Sequence, residues 1–139
     1  MRSHHLQFVA VVLITTLLLA CNKKESGGDE SSDEWPEMDS FHMIIADAYH
    51  PFKDSANLAP AKKLAEEMAW EAVRWQEATL PKKVDNDDMK EQLEKLKMES
   101  RAFADQVKAN VSDAELGNSL TALHESFHKA MEMWYGEKH

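Results

Sequence analysis

The stretch MKEQLEKLKMESRAFADQVKANVSDAE, Met89 to Glu115, decides the fold. Met89, Leu93, Leu96, Ser100, Phe103 and Val107 recur at steps that alternate four and three, the apolar seam of a helix packed in a bundle. A few residues later Ser112-Asp-Ala-Glu115 spells a capping box, in which a serine opens a helix and a glutamate reaches back to it. One amphipathic helix therefore ends and another begins across a short connection, which makes the two antiparallel neighbours.

The same pattern extends in both directions. The helix opened by Ser112 carries Leu116, Leu120, Leu123, Phe127, Met131 and Trp134, and Gly136 can end it. Before Met89, a second segment carries Leu64, Met68, Ala72 and Trp75 and stops at Leu80-Pro81, because a residue before proline resists the helical region. A first segment starts at Pro36, a good first-turn residue, and carries Met38, Phe41, His42, Ile45, Tyr49 and Phe52, with a disturbance expected at Pro51. Lys53–Pro60 and Lys82–Asp87 read as turns. The sequence thus predicts an all-α domain over residues 36–139, an up-down-up-down antiparallel four-helix bundle.

The chain ahead of that domain has a different composition. Phe8 to Ala20 is an uninterrupted apolar run behind Arg2, of signal-peptide length and short for a membrane span. It ends in Leu-Leu-Ala-Cys, and Cys21 is the sole cysteine of the chain. A small residue directly before cysteine after an apolar run reads as a bacterial lipoprotein signal over residues 1–20, with Cys21 lipidated. Several acyl chains anchor firmly, which predicts a cell-envelope protein held to a bacterial membrane, periplasmic or surface-facing. Residues 21–35 are rich in Gly, Ser and acids and read as an acidic tether. A single cysteine excludes an intrachain disulfide.

From Met38 on, 19 acids face 13 Lys and Arg, and the whole chain carries a formal charge of −9. An acidic surface argues against nucleic acid as a partner. No Gly-rich phosphate loop, no H-E-x-x-H and no nucleophile beside a base occurs, so an enzymatic reading has no motif behind it.

Histidines supply the chemistry. His124 and His128 lie four residues apart, one turn apart on one helix face. In an antiparallel pairing of the first and last helices, residues at equal height have numbers adding to about 171. That sets His42 opposite His128, His50 opposite His124 and Met38 opposite Met131. The helical projection puts His42 on the inward stripe and His50 at its edge. On the last helix it puts His124 and Met131 nearer the apolar centre than His128.

Two short patches carry a family resemblance. MAWEAVRWQEATLPKK, Met68 to Lys83, resembles the second helix and Pro-containing turn of the soluble periplasmic cytochrome b562 family, itself a four-helix bundle. Ser-Phe-His-Lys, Ser126 to Lys129, resembles that family's segment with an aromatic followed by a haem-ligating histidine. In this register the family's first-helix methionine ligand falls on His42 and its histidine ligand on His128. The resemblance implies b-type haem bound non-covalently, for electron transfer or haem holding. The ligation would be bis-histidine, with an expected potential below that of a Met-ligated haem. Met38, Ile45, Met68, Leu120, Phe127 and Met131 would line the pocket, and a redox protein would be the partner. The absence of C-x-x-C-H excludes covalent attachment.

The residues alone keep two alternatives open. An i, i+4 histidine pair is a chelating element, so His124 and His128 with His42, and His50 nearby, can form a haem-free metal site. Imidazole suits Cu and Zn, and thioethers from Met38 and Met131 would favour Cu(I). Asp47 or Glu125 can orient the ligating rings. Such a protein would buffer, sense or deliver its metal. The third reading is a ligand-free structural or partner-binding module, its methionines filling gaps in the core. The sequence leaves open whether the bundle dimerises through an exposed Trp35 or Trp134.

Overall fold

The structure is a computed structural model and describes residues 34–136. The expected signal peptide, the Cys21 lipidation site and the tether up to residue 33 lie outside the described residues, as does His139. The described chain is all-α: helices α1 (Pro36–Ser55), α2 (Ala59–Glu77), α3 (Asp87–Lys108) and α4 (Asp113–Tyr135), with a short 3-10 turn at Lys82–Val84. Each long helix packs on its chain neighbours, and α1 also meets α4, which closes the bundle. No described helix is long and apolar enough to cross a membrane.

The helix ends follow from local chemistry. At the start of α4, Ser112 Oγ accepts from the Glu115 amide while the Glu115 carboxylate accepts from the Ser112 amide, completing the capping box. At the start of α3, Asn86 Oδ1 accepts from the Met89 amide, and Asp87 and Asp88 lie in the first turn, where the helix dipole favours acids. The helix α1 runs through Pro51 to Ser55, so the disturbance expected there does not end it. Pro51 lies close to the C-terminal end of α1, so little helix follows it, and the Ser55 hydroxyl donates to the Pro51 carbonyl at 2.9 Å.

Between the first and last helices, paired contacts run in opposite numerical order, as they do between antiparallel neighbours. Along α1, Trp35, His42 and Tyr49 meet Trp134, Phe127 and His124 of α4 in turn. Between α3 and α4, Gln92 Nε2 donates to the Ser126 carbonyl at 2.8 Å. Between α2 and α3, Glu66 takes ion pairs from Arg101 and Lys108. All six heptad-seam positions of α3 point inward: Met89, Leu93, Leu96, Ser100 and Phe103 are buried and Val107 packs partly buried against the core.

Trp35 and Trp134, at one end of the bundle, are both buried. Trp35, assigned to the tether, is 1% exposed and belongs to the core. Its ring lies 5.2 Å from Trp75 and 5.1 Å from Trp134, packing from the position just before α1 onto α2 and α4. Trp134 is buried as well, so neither residue offers an exposed self-association surface. The ammonium of Lys83 sits 3.2 Å over the Trp134 ring and covers this end of the bundle.

Candidate metal centre on the seam between the first and last helices

Among the four pairs of neighbouring helices, α1 and α4 are the least closely packed. All four histidines of the described residues lie along this seam, His42 and His50 on α1 and His124 and His128 on α4. The reason is visible in the pattern: Phe41, Ile45 and Ala48 form the buried line of α1, and His42 and Tyr49 flank it on the side turned to α4.

His124 is the centre of the group. Its ring lies 4.4 Å from the His128 ring, edge-on, and stacks on Tyr49 at 3.8 Å. Partial burial, then the charges of His128, His50, Lys53 and His42, push its pKa down from 6.5 to about 4. At neutral pH its imidazole is therefore uncharged and free of a competing proton. The same set of influences shows that the other three histidines are all within electrostatic reach of it.

The depth of each residue departs from expectation in one place. His124 is half-buried and His128 and His50 are exposed, in the order the helical projection suggests. His42, expected to be the most inward of the four, is exposed. Its neighbour Phe41 takes the inward direction, and at about 100° per residue that turns His42 out to the flank. Met38 is buried in the core and Met131 is half-buried. Asp47 and Glu125 are exposed, and no hydrogen bond places either on a histidine ring.

The core at this height is filled. Phe127 is 1% exposed; His42 stacks on it at 5.1 Å and His128 meets its edge at 5.9 Å. On its inner side it packs against Phe41 and Trp75. Phe127 thus packs against both histidine rings, and a haem ligated by both would have to move it. Among the described residues no three His, Cys, Asp or Glu side chains are gathered in position to hold a metal ion. What the seam presents is a two-histidine element on α4 with two more histidines facing it from α1.

Sequence reasoning missed the aromatic partners of the histidines. Tyr49 and Phe127 were read as core residues, yet each also carries an imidazole on its ring face. Comparison with protein-family models, with curated proteins and with solved structures finds no match.

Proposed function

We propose that this protein is a lipid-anchored envelope protein that binds a transition-metal ion, copper or zinc, through imidazoles on the α1–α4 seam, and passes it to a partner protein. The observation that carries the reading is the His124–His128 pair, its rings 4.4 Å apart on one helix, with His42 and His50 acting on His124 from the helix opposite. Neutral imidazole is a ligand for both metals, and an i, i+4 pair brings two onto one ion without bending the backbone. Met131, half-buried one turn beyond His128, offers a thioether that favours Cu(I). The ion is cargo in this reading, and no chemistry on a substrate is assigned.

Haem is the competing reading, and the filled position of Phe127 weighs against it. The test is calorimetric titration of tag-free protein with Zn(II) and Cu(II), alongside an absorbance titration with haem. One equivalent of metal bound by the wild type and lost in His124→Ala/His128→Ala supports the reading. A Soret band that depends on His42 and His128 replaces it with haem binding. No binding in either titration leaves a ligand-free module.

A further inference from the structure

We infer that the groove between α3 and α4 is a docking surface for a basic amphipathic helix of a partner protein. This goes beyond the metal reading and stands independently of it. The groove is a concavity of about 600 Å³ that carries Met98 of α3 and Met133 of α4. Met98 is 57% exposed and Met133 is half-buried. Gln92 lines the same groove, and its bond to the Ser126 carbonyl ties the two helices together there. From Asp88 to Met98 the groove follows α3 for about 15 Å, the length of a helix of about ten residues. A straight channel between two helices takes a third helix along it, and two flexible thioether side chains adapt to the apolar face laid on them.

Charge sets the sign of the partner. Asp88, Glu91 and Glu94 border the groove against Lys95 and Lys129. Both lysines are already engaged by acids of their own helices, Lys95 with Glu99 and Lys129 with Glu132, each at 3.8 Å. Glu94 pairs with Lys97. Asp88 and Glu91 are exposed and have no ion pair among the described residues. The whole chain carries a formal charge of −9. Lysines or arginines beside a partner's apolar stripe would therefore meet Asp88 and Glu91, whereas an acidic helix or an anionic lipid surface would be repelled.

The experiment is methyl NMR of the tag-free full chain in nonionic detergent, with the methionine methyls labelled. The probe is a synthetic peptide of about 18 residues, about five turns of helix, with leucines on one face and lysines on the other. A peptide of the same composition in scrambled order is the control, and detergent alone measures what the micelles take up. The expected result is saturable shifts of the Met98 and Met133 methyls, with Met43, 72% exposed on α1, unmoved. The scrambled peptide should bind about tenfold more weakly or worse. Asp88→Asn/Glu91→Gln changes two exposed residues and should weaken binding by about fivefold or more, with thermal unfolding unchanged. Equal binding of both peptides, or equal shifts at Met43, overturns the docking surface in favour of unspecific charge attraction. Met98 and Met133 signals that move on dilution of the protein alone overturn it in favour of a second copy of the chain. No shift at millimolar peptide overturns it outright.

Discussion

The imidazole of His42 lies stacked on Phe127, with 5.1 Å between centroids and 25° between planes, and the other side of Phe127 packs into the bundle against Phe41 and Trp75. A core residue thus forms the floor of the histidine seam. Packing and site are coupled at this position, and the coupling can be tested. Phe127→Ala removes a ring that is 1% exposed and should cost about 3–5 kcal/mol in urea unfolding, with the slope of the transition unchanged. Phe127→Leu keeps most of the volume and should cost less than half as much. A loss below about 1 kcal/mol for the alanine variant would mean that the ring does not hold the core at this height.

The start of α4 gives a second, local test. The Ser112 hydroxyl accepts from the Glu115 amide, and the Glu115 carboxylate returns the bond to the Ser112 amide at 3.1 Å. Ser112→Ala should lower stability by about 1 kcal/mol, and Ser112→Thr should restore most of it, because a threonine hydroxyl accepts from the Glu115 amide and donates to its carboxylate as serine does. Thermal unfolding of the three proteins checks the order.

The bundle was legible in the sequence because its information is periodic. The alternating steps of Met89 to Val107 and the box at Ser112 fix two helices and their connection without reference to tertiary contacts. The α1–α4 register was legible for the same reason, since it needs only helix rise and direction. What was not legible was rotation within a few tens of degrees. His42 and Phe41 are adjacent, both sit near the apolar stripe, and the choice between them is made by which side chain fills the core better. Trp35 was lost to its flanking composition: serines and acids flank it in the chain, while its packing partners are 40 and 99 residues away. Whether four imidazoles converge on a metal is further from the sequence still, because it depends on rotamers that aromatic neighbours set.

The histidine seam also predicts how metal-free protein responds to acid. His124 has its pKa lowered from 6.5 to about 4, by burial first and then by His128, His50, Lys53 and His42. The folded value lies below the unfolded one. Its contribution is therefore complete above pH 6.5 and is lost as pH falls towards about 4, where the unfolded chain takes up a proton that the folded ring resists. Allowing for solvent screening of a half-exposed ring, the loss is on the order of 2 kcal/mol. His124→Gln should flatten the stability curve over this window. An unchanged slope between pH 6.5 and 4 would show that His124 titrates as a free imidazole.

A second acid window lies lower and on the opposite side of the bundle. Glu66 on α2 receives the Arg101 guanidinium at 2.7 and 3.1 Å and the Lys108 ammonium at 2.7 Å, both from α3. The hydrogen bond from Arg101, then that from Lys108, pulls the Glu66 carboxyl down from 4.5 to about 2. A depressed carboxylate stabilises the fold above its unfolded pKa, and that contribution is lost as pH falls from 4.5 towards 2. The two windows meet near pH 4, so they can be told apart by substitution. Glu66→Gln should flatten the lower segment and leave the upper one alone, and His124→Gln should do the reverse. The Glu66 cluster is solvent-exposed, so its share should shrink as salt is raised, with a Debye length of about 8 Å at 0.15 M falling to about 3 Å at 1 M. The His124 shift begins with burial, and salt should change it far less. Unfolding midpoints measured across pH at two salt concentrations separate them. If Glu66→Gln alters the curve above pH 5, or if salt leaves its effect intact, the ion cluster is not the origin of the lower transition.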